Sequence, residues 1–159
     1  MRIIAFSDSH RNYHNVHKLF EQTALTTDIY IFLGDGISDL DNIVMLYPNK
    51  RIVAVTGNCD WHSMEPYINS IEVEGKKIIF THGHMHDVRS GLDGLKRLAE
   101  QNSADVVLYG HTHVRSCDYD NGVYYINPGS LGNPRDGLAP SYAAIDIIPA
   151  GVLCTHAEL

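Results

Sequence analysis

Asp105-Val106-Val107-Leu108-Tyr109-Gly110-His111-Thr112-His113 is the stretch from which the rest of the chain can be read. Its first half is a short apolar, β-branched run, the pattern of a buried strand. Gly110 then permits a sharp turn. Two imidazoles follow, one residue apart, and in extended backbone such a pair points the same way. Both rings can therefore address one point just past the strand's end. Neutral imidazole is the commonest metal-binding side chain. A solvated His-Thr-His loop has the same local sequence, so the meaning of the pair depends on what else arrives beside it.

Upstream, Arg2 to Ser7 reads as a buried strand and is followed by Asp8-Ser9-His10. Val16, Leu19, Phe20, Thr23 and Ala24 mark one face of a helix. Asp28 to Leu33 is a second strand, ended by Gly34-Asp35-Gly36. Ser38 is placed to cap a second helix with Leu40, Ile43, Val44 and Tyr47 on its apolar face, stopped by Pro48. Arg51 to Thr56 is a third strand, ended by Gly57-Asn58-Cys59-Asp60. Strands alternating with helices indicate parallel pairing. The pattern then changes. Ile71 and Val73 alternate with polar residues, and Glu74-Gly75 joins them to Ile78-Ile79-Phe80 as a hairpin ending at Thr81-His82. Leu92, Leu95, Leu98 and Ala99 mark a third helix. Downstream, Asn121-Gly122 turns a hairpin between Val114–Tyr119 and Val123–Ile126. Ala143–Ile148 and Val152–Cys154 form a last one. The expectation is one domain over residues 1–159, with a mixed α/β core and antiparallel elements in its second half.

Composition narrows the function. The chain has 159 residues and a formal net charge of −7. It carries no Lys/Arg run longer than a pair, so no stable nucleic-acid partner is expected. No apolar run reaches the ~20 residues of a membrane span. Cys59, Cys117 and Cys154 are odd in number and widely spaced, which fits a reducing, cytoplasmic setting better than a disulfide framework. A homo-oligomer is compatible with these features. Ten histidines are many for this length and ask for a reason.

Asp8 and His10, Asp35, Asn58, His82, and His111 with His113 all fall just after a strand in this reading. Ligands of open α/β sheets bind at such ends. Each residue alone is compatible with a loop acid, a turn amide or a satisfied histidine. Their shared position at five strand ends points to one rim. Two carboxylates, an amide oxygen and four imidazoles exceed the needs of one tetrahedral ion. They suit two ions about 3.5–4 Å apart. Two dications at ~4 Å repel by roughly 17 kcal/mol at an effective dielectric of 20, so a bridging carboxylate is needed. Asp35, with glycine on both sides, has the least backbone bulk around it. The nitrogen and oxygen donors favour Mn²⁺, Fe, Zn²⁺, Co²⁺ or Ni²⁺ over calcium.

The order D-x-H (Asp8, His10), G-D (Gly34, Asp35), G-N (Gly57, Asn58), H-G (His82, Gly83) and G-H-x-H (Gly110, His111, His113) resembles the calcineurin-like metallophosphoesterase superfamily. Gly57-Asn58-Cys59-Asp60 and Ile126-Asn127-Pro128-Gly129-Ser130 are similar to motifs of its small bacterial and archaeal phosphodiesterases. The resemblance implies an α/β, α+β-like four-layer fold: a β-sandwich of two mixed sheets flanked by helices. It implies that Asp8, His10, Asp35 and His113 hold one metal and Asp35, Asn58, His82 and His111 the other, with manganese first among the candidates. The implied reaction is hydrolysis of a small phosphate ester. By that resemblance a metal-bound hydroxide would attack in line, while His10 and the ions, sharing Asp35, would stabilise the phosphoryl oxygens.

The protein-phosphatase branch has histidine after the ligand Asn, as the acid for the leaving group. Here that position is Cys59, a poor substitute. A protein-phosphatase role is therefore disfavoured. Cys59 itself reads as packing rather than nucleophile. His62, His84 and His86 are candidates for substrate contact, Arg135 for a phosphate, His14 and His17 for a solvated helix face, and His156 for no role. The alternatives are a non-catalytic protein-binding scaffold of the same fold, a phosphomonoesterase and a nuclease. A P-loop is excluded, because Gly-Lys-Ser/Thr is absent.

Overall fold

The computed structural model describes residues 1–159. Strand β1 (Arg2–Phe6), helix α1 (Tyr13–Thr23), strand β2 (Ile29–Phe32), helix α2 (Asp41–Leu46) and strand β3 (Arg51–Ala54) come first. The three strands pair in parallel, as their alternation with helices requires. The second half holds the hairpin β4 (Ile68–Val73) and β5 (Lys76–Thr81), helix α3 (Asp93–Asn102) and strand β6 (Val106–Leu108). The hairpin β7 (Arg115–Asp120) and β8 (Val123–Pro128) follows, then β9 (Ser141–Ile148) and β10 (Gly151–Glu158).

These strands make two five-stranded sheets, ordered β10-β9-β1-β2-β3 and β4-β5-β6-β8-β7. Both are mixed. In the first, β9 runs antiparallel to β1, and in the second, β5, β6 and β8 are mutually parallel between antiparallel edges. Side chains alternate across each strand, and both faces of the central strands are apolar. Ile3, Ala5, Ile29 and Ile31 meet Ile78, Phe80, Val106 and Leu108 between the sheets. Ile4, Phe6, Tyr30 and Phe32 face the opposite way, against Val16, Leu19 and Phe20 of α1. Ile79 and Val107 pack under Leu95 and Leu98 of α3. The result is the expected four layers, helix–sheet–sheet–helix. Phe20 stacks on Tyr30 with ring centroids 3.9 Å apart, and Asn12 caps α1 by accepting from the Asn15 N–H at 3.1 Å.

Some local expectations need correction. Ser38 caps nothing, because it lies inside a 3₁₀ turn over Ile37–Leu40 that precedes α2. Val44 is exposed, since a helix of six residues has room for little more than Ile43 on its buried side. The final hairpin runs to Glu158 instead of Cys154, because every residue from Gly151 to Glu158 finds a partner on β9. His156 is not idle: its Nε2 lies 2.7 Å from the Asn127 carbonyl oxygen.

The exits of β2 and β3 touch. Gly34 has φ +95°, and a Cβ placed on it would sit 2.5 Å from the Gly57 nitrogen. Gly34→Ala is therefore expected to lower stability by about 2 kcal/mol or more, from backbone strain plus overlap. A urea midpoint equal to that of the parent would refute this close approach.

Candidate metal centre

All seven candidate residues lie in loops leaving the C-terminal ends of strands. Asp8 and His10 follow β1, Asp35 follows β2 and Asn58 follows β3, while His82 follows β5 and His111 and His113 follow β6. The backbone is bent hard there. Asp8, His10, Asp35, His111 and His113 have φ of 54°, 48°, 60°, 67° and 61°. Side chains other than glycine occupy that region only when the surroundings hold them, at roughly 1–3 kcal/mol each, and such residues gather at functional sites. Gly110 gives the needed space, because a Cβ there would overlap Ser7 Oγ and come within 2.8 Å of Asp8 Oδ2.

The seven converge. His113 Nε2 is 3.1 Å from Asp8 Oδ1 and 3.1 Å from His10 Nε2. His10 Nε2 is 3.7 Å from Asp8 Oδ1 and 3.9 Å from Asp35 Oδ2. On the other side, His82 Nε2 lies 3.5 Å from Asp35 Oδ2 and 4.0 Å from Asp8 Oδ1. It is also 3.2 Å from both Asn58 Oδ1 and His111 Nδ1.

The arrangement of protons shows what fits between these groups. His82 Nδ1 is 2.7 Å from the Leu33 carbonyl oxygen, and His113 Nδ1 is 2.7 Å from that of Asn133. A carbonyl only accepts, so Nδ1 carries the proton in each ring. In the neutral rings, the Nε2 lone pairs then face carboxylate oxygens. Asp8 Oδ1, wholly buried, has no hydrogen-bond partner. Lone pairs set against anionic oxygens repel unless a cation or proton lies between them. Nitrogen and carboxylate donors at such spacing suit a divalent transition metal, and the carbonyl-held imidazoles have the outer support that metal ligands need. The residues present thus fit the divalent ions that the resemblance implies.

Electrostatics agree. Burial would push the His82 imidazole down, but the Asp35 hydrogen bond and the charges of Asp8 and Asp35 outweigh it and hold it above its ordinary value. Burial would raise the Asp35 carboxyl, yet His82 and the Cys59 backbone N–H keep it far below the usual range. Burial and neighbouring His82 bring His111 down to about 4. Desolvation and the Asp35 carboxylate push the Cys59 thiol up to about 11. Cys59 is exposed, so the packing role is corrected. Its N–H donates to Asp35 Oδ1 at 2.7 Å.

The sequence reading assigned no role to Asp60, which organises the loops. Its carboxylate accepts from the N–H groups of Asp35, Gly36, Ile37 and Gly57 at 2.7–2.9 Å. The fourth residue of the Gly57–Asp60 motif was the available signal. The Ile126–Ser130 motif acts in the same way. Asn127 Nδ2 donates to Gly110 O and Thr112 Oγ1, both at 3.0 Å. Ser130 Oγ donates to Asp8 O at 2.8 Å and accepts from Asn133 N at 2.8 Å, which sets the carbonyl that holds His113. His84 stands near the cluster, its ring 5.4 Å from His82 and 6.1 Å from His111. Arg135 contributes its backbone N–H to His113 O, and its side chain is exposed. His14 is exposed, and His17 lies 3.5 Å from Glu21.

A model of the calcineurin-like phosphoesterase superfamily domain matches residues 1–148. The probable metallophosphoesterase YsnB of Bacillus subtilis is 30% identical over 147 residues, 92% of this chain and 85% of that protein. Phosphodiesterase MJ0936 of Methanocaldococcus jannaschii is 29% identical over 92% of this chain and 93% of its own. Among solved structures, a predicted phosphoesterase from Streptococcus pneumoniae superimposes with TM-score 0.80 at 28% identity, covering 98% of this chain and 97% of that one. Vps29 from Entamoeba histolytica shares the fold at TM-score 0.77 and 19% identity, over 100% of this chain and 99% of its own. Two mixed sheets, a rim of acids and imidazoles and a family match along nearly its whole length agree that this chain belongs to the calcineurin-like phosphoesterase superfamily.

Proposed function

We propose that this chain is a metal-dependent phosphodiesterase acting on small phosphodiesters. The observation that carries the reading is Asp8 Oδ1, buried and unpartnered among imidazole nitrogens. Asp8, His10, Asp35 and His113 would hold one divalent ion, and Asp35, Asn58, His82 and His111 a second. Asp35 Oδ2 lies within 3.9 Å of His10 Nε2 and 3.5 Å of His82 Nε2, which favours its sharing between the two groups. Manganese is the preferred ion, and Ni²⁺, Zn²⁺, Fe and Co²⁺ suit the same donors. When bound, such ions supply charge for the phosphoryl oxygens and acidify water. The protein's part is to hold seven donors rigid and to present His10, half-exposed at the rim, to a phosphoryl oxygen.

The nearly full-length phosphodiesterase relative favours diesters over monoesters. The net charge of −7 disfavours nucleic acid as substrate. A protein-binding scaffold of this fold is the rival, and the complete donor set favours hydrolysis over it. Metal content measured together with turnover separates the two. No helix is long and apolar enough to cross a membrane, and the three free thiols accord with a cytoplasmic location.

Asp35→Asn is expected to reduce bound metal and to lower kcat/KM at least about 100-fold, the upper end of what even outer-shell changes cost. Full metal content at full rate would refute the shared role. With its thiol held at about 11, Cys59 is a poorer general acid near neutral pH than an imidazolium, so aryl leaving groups, which need little protonation, should react best. Cys59→His is expected to raise the rate on alkyl diesters about tenfold, within the usual range for a general acid. An unchanged aryl-to-alkyl ratio would assign the acid elsewhere.

A further inference from the structure

We propose that Trp61 is a stacking platform for a planar substituent of the ester, so that the substrates are aryl- or nucleoside-bearing phosphodiesters. This rests on the phosphoesterase reading and adds the substrate class. The chain has a single tryptophan, and it is 84% exposed. Tryptophan is a large apolar side chain that folding ordinarily covers to a high degree. Here it stands at the candidate centre. A cavity of about 520 Å³ is lined by His10, Asp35, Cys59, Trp61 and His62. A second, of about 340 Å³, shares Trp61 and His62 with it and is also lined by Asn58, Glu65, Tyr67 and His84. Trp61 and His62 thus line two depressions, each of which includes candidate metal ligands, His10 and Asp35 in the first and Asn58 in the second. A phosphate seated at that rim would carry one substituent into each.

The second cavity offers two more rings, Tyr67 and His84, with centroids 5.9 Å apart. The first offers acids, Asp41 and Asp60 beside Asp35, and a single cation, Arg11. An acidic wall repels substituents that bring further negative charge. A flat aromatic face accepts any base, since every base has a π-face. Neutral planar groups on a lone phosphodiester satisfy both conditions.

The sole tryptophan is its own probe. In zinc-loaded protein, adenosine 5′-monophosphate is expected to quench its fluorescence, whereas ribose 5-phosphate, which has the same phosphate and no base, is expected to leave it unchanged. Trp61→Ala should raise KM for thymidine 5′-(p-nitrophenyl phosphate) about tenfold, equivalent to ~1.4 kcal/mol, while kcat stays within about twofold. Trp61→Phe should recover most of the loss. Equal responses to the two phosphates, or an unchanged KM in Trp61→Ala, would overturn the platform. A wild-type protein that turns over no ester, yet distinguishes the two phosphates by fluorescence, would overturn the phosphoesterase reading and leave the platform standing.

Discussion

Two buried carboxylates set against imidazole lone pairs are the constraint around which the molecule is arranged. Asp8 and Asp35 are 0% and 3% exposed. Removing such groups from water is costly unless charge or hydrogen bonds replace it. The protein answers with backbone N–H groups on Asp8 Oδ2 and Asp35 Oδ1, and leaves Asp8 Oδ1, which faces His10, His82 and His113, without a partner. The left-handed residues, the close glycines and the carboxylate of Asp60 all serve that geometry. Each is unfavourable or neutral as local structure and makes sense only once the rim is considered whole.

The layered core is what makes the strained loops tolerable. Central strands with apolar residues on both faces are rigid on either side, so their exits are fixed points. Loops attached to fixed points can carry unfavourable φ values without relaxing. Buried hydroxyl and amide groups then lock one exit to the next, as Asn127 at the end of β8 and Ser130 just after it do, more than a hundred residues away from Asp8.

The candidate donors could be picked out in the sequence because each is marked locally. A run of apolar residues, a glycine and a polar side chain identify each strand end without knowledge of its neighbours. The division into two sheets was not legible in that way. It depends on β9 returning to lie beside β1, with Arg2 opposite Asp146, and on no crossing between β3 and β4. Short-range periodicity does not encode such partners; the resemblance of the motifs implied two mixed sheets without saying which strands pair. Asp60 escaped for a different reason. A carboxylate whose work is to accept from four backbone N–H groups has no partner residue type to betray it. Ser38 misled because a capping preference yields to the turn that Gly36 begins, with φ 145°.

The donors come from both halves of the sandwich. Asp8, His10, Asp35 and Asn58 belong to the sheet of β1, β2 and β3, and His82, His111 and His113 to the sheet of β5 and β6. An ion gripped by both sets would be a rivet through the seam of the sandwich. Whatever it binds to the folded chain and not to the unfolded one adds to the cohesion of the two slabs. Availability of the ion would then govern how long the molecule survives as well as how fast it works.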